Sequence, residues 1–233
     1  MREIQRIAQE EFGYDILQLT ENAGRGLARL ALAMLGGRGK GQVVVILAGG
    51  GNKGAAGLCA ARHLVNWGFT VEPILADVES ETSFAARRQL AILRESGVVE
   101  PGDMEINEIA VEDQLLRADL VVDALVGYGL EGPPVGIAAA ATELAVASKK
   151  PILSLDVPTG VNATSGHVSE PAIRACTTLA FDLPKKGILE AAAKANVGEL
   201  YLADLGIPSS VHARMGISIP GLFSEGPLVR LRR

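Results

Sequence analysis

The chain is short of several things, and each shortage excludes something. Aromatic residues make up 4% of the 233 residues, cysteine occurs twice and histidine three times. The cysteines, Cys59 and Cys176, stand far apart and in no metal-ligand spacing. They read as buried small apolar groups in a reducing compartment rather than as a disulfide or zinc framework. His63, His167 and His212 form no ligand pattern, and His63 reads as a packing residue inside a helix. No basic block is long enough for nucleic acid, and the net charge is −5; nucleic acid is therefore not expected as a partner. No run approaches the roughly 20 apolar residues of a membrane span. The opening Met-Arg-Glu-Ile-Gln-Arg lacks the apolar core of a signal peptide. The expectation is a soluble, cytoplasmic protein without a membrane partner.

What the chain does have is glycine, 27 residues of it, within a composition that is 48% hydrophobic. That suits an α/β domain large enough to bury a core without staples. The pattern organises around residues 42–64, where the apolar run Val43 to Leu47 breaks into Gly49, Gly50 and Gly51, with Gly54 and Gly57 following. This reads as strand, glycine turn, helix. The glycines let backbone approach a ligand, and the helix start offers free N–H groups to an anion. The spacing Gly49-x-Gly51-x-x-Gly54 fits a dinucleotide turn, but ordinary tight turns show it too.

Two helices are expected before this stretch, with Ile4, Ile7 and Ala8 and later Leu27, Leu30, Ala31 and Met34 facing inward. Glu21 to Gly24 reads either as an exposed helix turn or as a wall for the glycine loop. After it, Thr70 to Leu75 reads as a strand ending near Asp77, which stands about 20 residues past the glycine loop, where a ribose-binding acid sits. A helix over 82–95 is predicted to turn Phe84, Leu90 and Leu93 inward, and a short strand is predicted at 104–106. Further strands are predicted at 120–125, 151–156, 177–181 and 199–203. Residues 1–216 read as one domain and 217–233 as a loose tail.

Asp123 and Asp156 each end an apolar strand and precede a Gly/Pro loop, Gly127 to Pro134 in the first case and Val157 to Val161 in the second. Ligands of open parallel sheets bind beyond the carboxyl ends of the strands, so the two aspartates and the glycine turn point to a shared site. Both are candidate catalytic residues, and Lys185 or Lys186 is a candidate for the site mouth.

The segments Glu21-Asn22-Ala23-Gly24, Gly49 to Gly57, Asp123 to Gly129, Asp156 to Val161, Pro184 to Gly187 and Asp204 to Pro208 occur in an order that resembles the YjeF N-terminal domain family. The resemblance implies a Rossmann-like three-layer sandwich with a central, mostly parallel sheet and two N-terminal helices. It also implies a homodimer that interconverts the R and S hydrates of NADH and NADPH, a cofactor-repair reaction completed by a separate dehydratase. Carried over, Asn52, Lys53, Gly54, Ala55 and Ala56 contact the substrate, as do Gly127, Tyr128, Gly129, Leu130, Glu131, Gly132, Pro133 and Asp156. Asp123 and Thr159 become ligands of a potassium ion.

The loop departs from the family pattern Gly-Asn-Asn-Gly-Gly-Asp-Gly. Lys53 replaces an asparagine ligand of potassium and has no acceptor of its own. Ala56 replaces an acid. Either Lys53 turns inward and its ammonium takes the cation's place beside Asp123, or it points into solvent. With Ala56 at the acid's position, the alternatives to an epimerase are a catalytically degenerate nucleotide- or metabolite-binding scaffold and a related enzyme of changed chemistry.

Overall fold

The structure is a computed structural model that describes residues 2–37, 39–77, 81–99, 108–130 and 132–232. The strand expected at 104–106 and the binding residue Glu131 lie outside the described residues.

Helix α1 (Arg2–Glu10) buries Ile4, Ile7 and Ala8, while Arg6 on its other face bridges Glu3 and Glu10. Helix α2 (Ile16–Met34) starts at Asp15, whose carboxylate accepts from Leu17 N–H, while Gln18 reaches back to the Asp15 backbone. That reciprocal cap satisfies donors that a helix start leaves free. The parallel strands follow in the expected places: β1 (Val43–Ala48), β2 (Thr70–Leu75), β3 (Leu120–Ala124), β4 (Ile152–Leu155), β5 (Thr177–Phe181) and β6 (Glu199–Ala203). Between them lie α3 (Asn52–Asn66), α4 (Phe84–Glu95), α5 (Glu108–Arg117) and α6 (Gly136–Ala147). Short helices α7 (Lys186–Leu189) and α8 (Lys194–Val197) precede β6, and α9 (Ser209–Ala213) follows it.

The strand order is β2-β1-β3-β4-β5-β6-β7, where β7 is the edge strand Leu228–Leu231. Both faces are covered, which is why the strands read as unbroken apolar runs rather than alternating ones. Along β1, Val44, Ile46 and Ala48 join the core under α2, α3 and α4, while Val45 and Leu47 join the one under α5 and α6. This is the three-layer α/β sandwich with a mostly parallel sheet.

Three expectations need correction. Phe84 does not face inward: it is 59% exposed, because the buried stripe of α4 runs through Ala86, Gln89, Leu90 and Leu93. Cys176 is exposed rather than buried, its thiol donating to the Ile152 carbonyl at 3.2 Å. And the stretch read as a loose tail contains β7 (Leu228–Leu231), which pairs antiparallel with β6, Leu202 opposite Val229. A four-residue edge strand carries too little alternation to be recognised without its partner.

Candidate functional site

Because β1 lies between β2 and β3, the chain reverses its direction across the sheet there, and the loops leaving β1 and β3 diverge. A crevice at that reversal is where an open α/β sheet binds its ligand. Gly49 N–H still pairs with the Ala124 carbonyl at 3.0 Å, after which the chain turns directly into α3. The turn is tight enough that a Cβ on Gly54 would lie 1.7 Å from the Gly49 carbonyl oxygen, so no side chain fits there. Asp77, at the end of β2, accepts from Gly50 N–H at 3.0 Å and steadies the same turn.

The cavity over this turn has a volume of about 440 Å³, within the range of small-ligand sites. Its walls include Gly49, Gly50, Gly51, Asn52, Lys53, Asp77, Gly127, Tyr128, Gly129 and Asp156. Gln5 on α1 and Phe181 at the end of β5 also line it, and the Tyr128 hydroxyl reaches Gln5 Oε1 at 3.4 Å. A neighbouring cavity of about 560 Å³ shares Tyr128 and contains Leu130, Lys185 and Lys186.

Lys53 turns inward. Its Nζ lies 3.2 Å from each carboxylate oxygen of Asp123, 3.0 Å from the Val126 carbonyl, 2.9 Å from the Val157 carbonyl and 3.4 Å from Thr159 Oγ1. Burial pushes this lysine below its ordinary range, and the adjacent Asp123 charge works against that shift. Asp123 is itself fully buried and saturated. It accepts from Ser154 Oγ at 2.6 Å, Thr159 Oγ1 at 2.7 Å, Thr159 N–H at 2.9 Å and Leu125 N–H at 3.2 Å. The catalytic role considered for Asp123 is therefore not available to it: the carboxylate lies beneath the cavity with its lone pairs engaged.

Of the two strand-end aspartates, Asp156 is the one that lines the cavity. Its backbone is left-handed, φ +64, which only a few non-glycine residues adopt and which often accompanies function. That turn lifts the side chain off the end of β4. Oδ1 is ion-paired with Lys185 Nζ and accepts from Phe181 N–H at 3.3 Å, while Lys185 also donates to the Phe181 carbonyl at 3.3 Å. Both side chains are almost fully buried.

Of the other residues expected to touch substrate, Asn52, Gly127, Tyr128 and Gly129 line the main cavity and Leu130 the neighbouring one. Gly54, Ala55 and Ala56 line neither; all three are buried, and the methyls of Ala55 and Ala56 pack into the core around Leu58. Gly132 and Pro133 are exposed and line neither cavity. Gln5 carried no signal in the sequence, since a glutamine on an amphipathic helix is unremarkable until the helix is docked. The Glu21–Gly24 segment is a fastening rather than a wall. Glu21 meets Arg62 and, at 2.8 Å, His63, and Asn22 donates to the Leu205 carbonyl at 2.8 Å. Burial raises the Glu21 carboxyl, but hydrogen bonds from Cys59 and His63 together with the charges of Arg62 and His63 leave the group lowered. Burial lowers His63, and its ring packs against Trp67 at 5.7 Å. His212, buried, pairs with Asp182 at 2.7 Å and fastens α9 to the end of β5. Burial raises Asp182 despite that partner.

The family profile described as YjeF-related protein N-terminus matches residues 16–187. This chain belongs to that family. Among its relatives, the NAD(P)H-hydrate epimerase of Dehalogenimonas lykanthroporepellens is 43% identical over 232 residues, 99% of this chain and 90% of that one. The NAD(P)H-hydrate epimerase of Rhodopirellula baltica is 36% identical, covering 89% of this chain and 82% of its own. The bifunctional NAD(P)H-hydrate repair enzyme of Pyrobaculum aerophilum is 33% identical, and the YjeF-type chain spans 42% of its length. The crystal structure of yeast YNL200c superposes with a TM-score of 0.82 over 99% of this chain and 96% of that one, at 24% identity, and so shares the YjeF-type fold.

The family expectation of a potassium ion held by Asp123 and Thr159 does not fit these residues. The oxygens that would surround the ion surround the Lys53 ammonium instead, and a second cation cannot share the space.

Proposed function

We propose that the chain interconverts the R and S hydrates of NADH and NADPH, and so repairs damaged nicotinamide cofactors. The observation that carries this reading is the Asp156–Lys185 pair, held by a left-handed turn at the edge of a nucleotide-sized cavity whose other wall is the glycine turn. Full-length relatives named NAD(P)H-hydrate epimerase support it.

The chemistry needs a proton delivered and a proton removed beside C6 of the reduced ring. The hydroxyl leaves as water once protonated, the C6–O bond breaks, and the ring nitrogen's lone pair forms a C=N bond. Water then adds to the opposite face and gives up a proton, so that no atom is gained or lost. An ammonium held against a carboxylate supplies both functions: Asp156 relays a proton from Lys185 to the leaving hydroxyl, then takes one from the entering water and returns it to Lys185. Asp156 touches the substrate, and Lys185 acts through it. The glycine turn and α3 start hold the nucleotide's phosphate by backbone N–H groups. Ala56 is packed into the core and lines neither cavity, so the proton transfers fall to Asp156 and Lys185.

The partner in this scheme is a dehydratase that acts on one of the two hydrates, and the assembly is a cytoplasmic homodimer. The test is to incubate R-hydrate with the protein and a purified S-specific dehydratase, and to follow recovery of NADH absorbance. Full recovery at a rate proportional to this protein is expected. Recovery no faster than spontaneous epimerisation would overturn the proposal.

A further inference from the structure

Five oxygens converge on the Lys53 nitrogen at 2.9–3.4 Å: both from the Asp123 carboxylate, the Val126 and Val157 carbonyls, and the Thr159 hydroxyl. They come from the ends of β3 and β4 and the loops beyond them, and the lysine is only 8% exposed. An ammonium carries three hydrogens and can satisfy three acceptors well. Five oxygens around one centre, one pair of them a carboxylate, form the shell of a spherical cation of single charge. Oxygen-only shells are what hard cations select. Glycine at 127 leaves room for the lysine stem: a Cβ there would lie 3.3 Å from Lys53 Cδ, and the stem would have to give by a few tenths of an ångström.

We infer that Lys53 is a tethered replacement for a monovalent metal ion, and that the protein's fold and site are therefore independent of potassium. The charge balance of the cage is that of an ion beside one carboxylate, but the cation is covalently attached. An exchangeable ion stabilises the folded state by mass action and leaves the site empty when its concentration falls below its dissociation constant. A side chain rooted in the first turn of α3 fills the cage at every salt composition. It also ties the glycine turn to the end of β3 and to the loops beyond β3 and β4, a connection that an ion would make only while bound.

The inference concerns the cage and not the reaction, so melting temperature tests it whatever reaction the cavity carries out. Native protein is melted in potassium, sodium and choline chloride at equal ionic strength, alongside Lys53→Asn, which removes the ammonium and offers an amide oxygen to an ion. Lys53→Ser serves the same purpose if the asparagine variant is not recovered folded. The native melting temperature is expected to be the same in all three salts. The variant is expected to melt lower in choline and to gain about 5–10 °C in potassium, as the ion passes from below its dissociation constant to about a hundredfold above it. Soaking thallium into crystals of the variant should place one anomalous peak between Asp123 and Thr159, and none there in the native protein. A potassium-selective rise in the native protein overturns the inference. So does a folded variant that responds equally to potassium and choline.

Discussion

Replacing Asp123 by asparagine keeps the shape of the side chain and removes the carboxylate in direct contact with Lys53. In the native protein this carboxylate faces the ammonium with both oxygens and accepts four further hydrogen bonds. An amide has one acceptor oxygen and would turn N–H donors toward groups that are themselves donors. Breaking a buried pair from one side costs roughly 3–5 kcal/mol. A separate limit gives the same figure. The stranded lysine can escape by losing its proton, which from its ordinary value of 10.5 costs about 5 kcal/mol at pH 7. For a chain of 233 residues such a loss lowers the melting temperature by about 10 °C. The same limit sets a pH signature: at pH 9 deprotonation costs only about 2 kcal/mol, so the deficit of Asp123→Asn relative to native protein should shrink there. Adding Lys53→Met to Asp123→Asn removes the stranded charge altogether, and the two losses should fall short of additive by roughly 2–3 kcal/mol. Calorimetric or fluorescence melts of the four proteins at both pH values provide the measurement. Additive losses, or an Asp123→Asn protein melting within about 2 °C of native at pH 7, would show that the buried pair does not hold the loops together.

Other consequences are simpler to check. Asp156→Asn should lower turnover in the hydrate assay by about 10²–10⁴-fold with little change in KM, the signature of lost proton transfer, whereas equal losses in binding and turnover would make Asp156 a binding group only. Gly54→Ala drives a methyl into the Gly49 carbonyl, 1.7 Å away, and should yield little folded protein; a well-folded variant with an unchanged melting temperature would contradict the tight turn. Burial pushes the Cys59 thiol from 9.0 up to about 12, and the Glu21 charge adds to the rise. A raised folded value gives stability that is complete below pH 9 and is lost as pH climbs toward 12. Native protein should therefore lose about 1–2 kcal/mol more than Cys59→Ala between pH 8.5 and about 10.5, as read from chemical denaturation at each pH.

Local pattern made much of this architecture readable. The strands around Val43, Thr70, Leu120, Ile152, Thr177 and Glu199 are short apolar runs closed by glycine, proline or aspartate, and each became a strand. The two aspartates at strand ends could be placed at one edge of the sheet because parallel connection puts every such end on the same side. Phe84 misled because an aromatic at the start of a helix looks like core until the packed face is known. β7 was missed because Leu228 to Leu231 becomes a strand by pairing with β6, and its own periodicity is too short to show it.

The sequence alone was enough to determine the α/β layering, the glycine turn and the family, since these rest on periodicity, on spacing, and on motifs whose order along the chain is visible. The resemblance also implied that lysine stands where the family pattern has asparagine, and left two directions open for that side chain. Only the tertiary structure decided between them. The five oxygens that receive Lys53 come from residues 70 to 106 positions away, and no local rule reports whether a cage will form across that distance. The same long-range assembly separated the two aspartates. Asp123 is drawn down into the cage by Lys53, Ser154 and Thr159, while Asp156, buried beside Lys185 and with a left-handed backbone, lines the cavity. Equal in sequence pattern, they differ in role because of what folding places beside each.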